Sequence, residues 1–121
     1  MAYDDQNVFA KILRGEIPCK KVYEDEFVLA FHDINPMAPV HVLVIPKGAY
    51  VSFADFARDA DDETVTAFFR AVNMIARELG LDERGYRVLA NTGVDGNQEV
   101  PHFHMHIFGG APLGRMIQKV G

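Results

Sequence analysis

Cysteine occurs once in this chain, at Cys19, so no disulfide can brace the fold from within. A lone thiol fits a reducing compartment, and the expected location is cytoplasmic. No apolar run approaches the roughly 20 residues that a membrane-spanning helix needs, so no membrane partner is expected. The opening residues, MAYDDQN, are acidic and lack the basic and apolar stretches of a secretion signal. Basic residues are also in the minority, 12 Lys and Arg against 17 Asp and Glu, which leaves a net charge of −5. That balance argues against non-specific nucleic-acid binding, although a nucleotide pocket needs only a few local donors. There are no internal repeats, linkers or low-complexity stretches, and no Gly-Lys-Ser/Thr phosphate loop. What is present, 121 residues of which 49% are hydrophobic and 24% charged, describes a single globular domain over residues 1–121.

Three of the five histidines crowd into one run, Pro101-His102-Phe103-His104-Met105-His106-Ile107-Phe108. Successive side chains of a β-strand point to opposite faces. Strand geometry therefore puts His102, His104, His106 and Phe108 on one side and Phe103, Met105 and Ile107 on the other. The apolar set can enter a core, whereas buried imidazoles need hydrogen-bond partners. A solvated face that happens to carry histidines is the plainer account, but the crowding speaks against it. A metal site is the other alternative, since imidazole is a common ligand. The outer two histidines of a straight strand would be about 13 Å apart at Cα, so all three can hardly share one ion. No metal is expected, and no cofactor is required.

Around this row the chain reads as alternating short elements. Asn7 can cap a helix whose apolar stripe is Phe9, Ile12 and Leu13, ended by Gly15. Val22 starts a strand, Glu24-Asp25-Glu26 makes a turn, and Phe27–Phe31 returns as the hairpin partner. Asn35-Pro36 and Pro39 break the chain before the apolar strand His41–Ile45. Val65, Phe68, Phe69, Val72, Ile75, Ala76 and Leu79 recur at helical spacing from about Asp61 or Asp62, and Gly80 stops that helix. Tyr86–Ala90 and Phe103–Phe108 complete five strands. The expected fold class is α+β, a five-stranded antiparallel sheet with two main helices packed largely on one side.

His102 to Phe108 resembles the signature of the histidine triad (HIT) family, in which His and hydrophobic residues alternate and two hydrophobics close the motif. The likeness extends to Phe9–Pro18, Phe31–Pro46 and Asn91–Gly110, which resemble the Hint branch, the purine nucleoside phosphoramidases. The resemblance implies a HIT-like fold and cleavage of purine nucleoside 5′-phosphoramidates, or of acyl-nucleotides, through a covalent nucleotidyl-histidine. It implies His104 as the nucleophile, His106 on the phosphate oxygens, His102 as support and His41 beside the scissile bond. Asp33 would accept both ribose hydroxyls. Asn91, with Asn97 and Glu99 on the same loop, would lie at the phosphate. Val8, Phe9, Ile12, Phe31, Ile34 and Leu43 would grip the base. A homodimer paired through the long helix and an adjoining strand is the implied assembly. A dinucleoside polyphosphate hydrolase and a non-catalytic nucleotide- or zinc-binding regulator are the alternatives.

Three positions depart from the pattern of that branch. Glu99 stands where a hydroxyl residue is usual, Ala49 replaces a histidine, and the tail APLGRMIQKVG lacks tryptophan. A carboxylate against a phosphate would repel it, so Glu99 is expected to offer only its backbone N–H. The Gly- and Asn-rich loop 91–100 is expected to aim several backbone N–H groups at an anion.

Overall fold

The computed structural model describes residues 2–121. Helix α1 (Val8–Leu13) is followed by strands β1 (Lys21–Glu24), β2 (Val28–His32) and β3 (Val40–Pro46). Helices α2 (Phe53–Asp59) and α3 (Asp62–Glu78) come next, then β4 (Arg87–Leu89) and β5 (Met105–Gly109). The five strands form one antiparallel sheet in the order β1-β2-β3-β5-β4, the fold class that the alternating pattern implies. Among the described residues no helix is long and apolar enough to cross a membrane.

Alternation along the strands divides the sheet into two faces. Val28, Ala30, Val42, Val44, Met105 and Ile107 turn to one side, where Phe56 of α2 and Phe68, Val72, Ile75 and Ala76 of α3 cover them. Leu29, Phe31, Leu43 and Ile45 turn to the other, and there Phe9 of the short helix α1 packs on Phe31 with ring centroids 5.5 Å apart. Two long-range covers of unequal size thus flank one sheet. The larger is a closed core; the smaller leaves part of its face open.

Beyond one-residue shifts at the ends of β1 to β4, two features differ from the sequence reading. Helix α2 is an additional element, held at its start by Asp55, whose carboxylate accepts the Val51 N–H at 2.7 Å and the Ser52 N–H at 2.6 Å. Strand β5 begins at Met105 rather than Phe103. The Phe103 N–H donates to the Tyr50 carbonyl at 2.8 Å, outside the ladder, and Pro46 at the end of β3 has no N–H to extend pairing. Residues 102–104 are nonetheless fixed, because Phe103 stacks on Phe56 at 4.8 Å and packs against Phe68 at 5.2 Å.

Candidate active site

The open part of the second face carries the histidines. His106 lies mid-sheet, opposite Leu43 on β3 and Leu89 on β4, while His41 lies opposite Phe108. These registers bring His41, from a strand more than sixty residues earlier, beside the row, with its Nε2 2.9 Å from His106 Nδ1. His104 stands just before β5, its ring centroid 5.1 Å from that of His106 and 4.9 Å from Phe9 in an edge contact. His102 is set behind them, wholly buried, and borders neither of the cavities described below. The row therefore presents His104, His106 and His41 to the open side, with His102 as their support.

Hydrogen bonds assign each ring its tautomer. His104 Nδ1 lies 2.7 Å from the His102 carbonyl, which can only accept. The proton therefore sits on Nδ1 and leaves the lone pair on Nε2. His41 Nδ1 receives the Met37 N–H at 3.1 Å, so its proton is on Nε2 and is donated to His106 Nδ1. The neutral His106 ring then carries its own proton on Nε2. The outcome is one ring with a bare nitrogen beside one with a donor.

Electrostatics keep the rings uncharged. Burial, above all, lowers His102 to about 4; burial, with the neighbouring His104 and His41, lowers His106 to about 4. Burial likewise lowers His104 and His41, against weaker opposing pulls that include Asp33. At neutral pH the His104 lone pair is available.

Two cavities meet at His104 and His106. The first, about 300 Å³, is an apolar slot to which Val8, Phe9, Ile12, Phe31, Ile34 and Leu43 all contribute. Ile34 does so only from the rim, being 91% exposed. Sequence reasoning missed Ile17, Pro18, Cys19 and Val100, which complete the walls. The Pro18-Cys19 stretch after Gly15, where the chain turns back toward the sheet, was the available signal. The second cavity, about 500 Å³, is lined by His41, Asn91, Asn97, Glu99, Leu89 and Phe108 among others. Asp33, Glu99, His104 and His106 border both. Asp33 Oδ1 accepts the Asn35 N–H at 2.8 Å, which shapes the turn before Pro36, and Oδ2 lies 3.5 Å from His41 Nε2.

Part of the loop 91–100 is bonded to itself. Its Asn97 and Gln98 amides donate to the Val94 and Gly93 carbonyls at 3.0 Å each, and the Gly93 amide to the Gln98 side chain at 3.3 Å. Those three N–H groups close the loop on itself rather than pointing at an anion. The turn is tight enough that any side chain at Gly96 would strike the Thr92 backbone. What the loop offers the cavity is Asn91, half-buried, with Asn97 and Glu99 more exposed.

Asp33, His41 and His106 each place one potential ligand atom within 4.8 Å of the others. A metal-bound imidazole needs its second nitrogen to donate to an acceptor. At His41 that nitrogen faces the Met37 N–H, itself a donor, so the protonated Nε2 has no lone pair for an ion. The two imidazoles are wired as a donor chain, His41 Nε2–H to His106 Nδ1, with the Asp33 carboxylate an acceptor beside it.

The HIT domain family model matches residues 14–113. A HIT-like protein of Azospirillum brasilense is 62% identical over 97% of this chain and 96% of its own length. The purine nucleoside phosphoramidase of Escherichia coli is 40% identical over 97% of this chain and 98% of its own length. Among solved structures, a histidine triad protein from Clostridium difficile superimposes with a TM-score of 0.85 at 47% identity, covering 97% of this chain and all, 100%, of that one. With His104 and His106 at the cleft and His102 behind them, these likenesses establish that the chain belongs to the HIT domain family.

Proposed function

We propose that the protein hydrolyses purine nucleoside 5′-phosphoramidates, or related acyl-nucleotides, through a nucleotidyl-His104 intermediate. The observation that carries this reading is the His104 ring itself: Nδ1–H held by the His102 carbonyl, Nε2 unprotonated, at the junction of an apolar slot and a polar cavity. A neutral imidazole so oriented is a competent nucleophile toward phosphorus. With the base in the slot and the ribose hydroxyls on Asp33, the 5′-phosphorus would stand before His104.

His104 Nε2 forms the N–P bond as the P–N bond to the leaving amine breaks. The amine takes one proton, for which the His106 Nε2–H, backed by His41, is a donor on the same face. Before that transfer the same N–H, together with Asn91, meets the charge on the phosphate oxygens. The nucleotidylated ring becomes cationic, and its Nδ1–H bond to the His102 carbonyl strengthens accordingly. Water then attacks phosphorus and gives one proton back to the His106 Nε2 that supplied the amine. The N–P bond breaks with its electron pair returning to His104 Nε2, and a nucleoside 5′-monophosphate leaves both rings neutral again.

The E. coli phosphoramidase, similar along nearly its whole length, supports the same choice of bond. The reading includes a cytoplasmic homodimer. Phe69 on α3 and Val88 on the edge strand β4 remain 42% and 41% exposed, apolar surface of the kind that twofold pairing covers. Light scattering checks this: the dimer has twice the mass of the 13.5 kDa chain, and a particle of single mass removes it. For the activity, the test is release of AMP from adenosine 5′-phosphoramidate set against diadenosine polyphosphates. Faster turnover of the phosphoramidate is the expected result. Preference for the polyphosphate would reassign the leaving group, and tight nucleotide binding without turnover would make the protein a binder.

A further inference from the structure

The segment ahead of α1 passes behind the histidine row and sets Tyr3 against His102, ninety-nine positions away in sequence. The two rings meet edge-on with centroids 5.6 Å apart, and the Tyr3 oxygen lies 2.6 Å from His102 Nδ1. The direction of that bond follows from the other side of the ring. His102 Nε2 is 2.8 Å from the Pro46 carbonyl, which can only accept, so Nε2 carries the ring's proton and Nδ1 a lone pair. Tyr3 is therefore the donor.

We propose that Tyr3 is a positioning residue for the nucleophile: through the His102 ring it holds the backbone carbonyl that fixes the His104 tautomer. The proposal rests on His104 being the nucleophile. Residue 102 is tied at four points. Its ring is clamped between Tyr3 and Pro46, its N–H donates to the Val100 carbonyl at 2.8 Å, and its own carbonyl receives the His104 Nδ1–H at 2.7 Å. Of these ties only the Tyr3 hydroxyl comes from an exposed stretch near the start of the chain. Without it Nδ1 is a buried acceptor with no partner, an outcome less favourable than the mere loss of a hydrogen bond. The ring relieves this by turning or by exchanging its tautomer, and either motion releases Pro46 and shifts the 102 peptide. His104 is then free to carry its proton on Nε2, the form that cannot attack.

Two substitutions and one spectroscopic readout test the idea. Tyr3→Phe removes the hydroxyl but keeps the edge contact, whereas Tyr3→Leu removes both. Positioning predicts that both lower kcat by about tenfold or more, with KM within about twofold, because the slot and Asp33 are untouched. Nitrogen-15 spectra of the histidine rings, without substrate, should show His104 as a single Nδ1–H tautomer in the wild type and as a mixture in Tyr3→Phe. A packing role predicts instead that Tyr3→Phe matches the wild type and only Tyr3→Leu is impaired. That result, or unchanged His102 and His104 nitrogen signals in Tyr3→Phe, would overturn the proposal. Should Tyr3→Phe not fold, 3-fluorotyrosine in place of tyrosine strengthens the donor without altering shape. It must then shift the His102 Nδ1 signal, and an unmoved signal overturns the idea equally. The tautomer readout needs no turnover, so it stands apart from any failure of His104 as the nucleophile, which His104→Ala reports.

Discussion

The two faces of the sheet are built from the same strands and differ in nearly everything else. On one, Val28, Ala30, Val42, Val44 and Ile107 are at or near zero exposure beneath α2 and α3. On the other, the helix over the alternate residues Phe31 and Leu43 is the short α1, His41 and His106 lie beyond it, and two cavities remain. One face is apolar throughout; the other shares its buried surface between a smaller apolar cluster and imidazoles at a cleft. The difference shows how a period of two lets one strand serve both ends. Ile107 and His106 are neighbours in sequence, yet one anchors the core and the other borders both cavities.

The comparison breaks most visibly if the faces are not separable. His104→Ala should lower turnover by roughly 10³-fold or more, since a covalent unit fails as a whole when its nucleophile is lost. Its stability should change by no more than about 1–3 kcal/mol, the scale of one unpaired buried carbonyl. Phe68→Ala should do the reverse, costing about 3–5 kcal/mol in urea unfolding while turnover per folded molecule stays within about twofold. Equal loss of turnover in the two variants would mean that the core face sets the chemistry.

A pH series sharpens the contrast. An unfolded histidine titrates near 6.5, roughly, whereas folding holds His102 and His106 at about 4. Between those values the unfolded chain binds protons that the folded one refuses, so stability is full above pH 6.5 and falls as pH drops toward 4. For His102, wholly buried, the loss is roughly 3 kcal/mol at most. Urea midpoints from pH 7.5 down to 4.5, compared with His102→Asn, should show a flatter slope in the variant. An unchanged slope would remove the buried ring as its source.

Asp33 gives a smaller effect, confined to binding. Asp33→Ala should weaken AMP affinity by about 1.5–3 kcal/mol for each hydroxyl bond lost, read by calorimetry. Unaltered affinity would return Asp33 to its turn, where Oδ1 already holds the Asn35 N–H.

Local pattern made the site legible where sequence spacing and strand geometry coincide. The split of β5 into His106 and Phe108 against Met105 and Ile107 and the long helix α3 follow from it, whereas the six slot residues come from the resemblance to the HIT family and not from any spacing. The rest depends on contacts that no local pattern encodes. Helix α2 has one buried residue, Phe56, and too few turns for a periodic signal, although Ser52 and Asp55 stand at capping-box spacing. The strand ends short of His104 because Phe103 pairs with Tyr50, in a loop about fifty residues earlier. Tyr3 could be found only by knowing that residue 102 lies behind the row. The loop 91–100 shows the same limit: its composition suits an anion cradle, but composition does not reveal that the Asn97 and Gln98 amides are taken by its own carbonyls.

The central claim is that phosphorus passes through one nitrogen, His104 Nε2. Rapid acid- and base-controlled quenching of the enzyme with an adenosine 5′-phosphoramidate, followed by peptide mass mapping, tests it most directly. An adenylyl group is expected on His104 alone, absent from His104→Ala and retained at reduced amount in His106→Ala. An adduct on His106 or His41, or full turnover with no adduct at any time point, would contradict it.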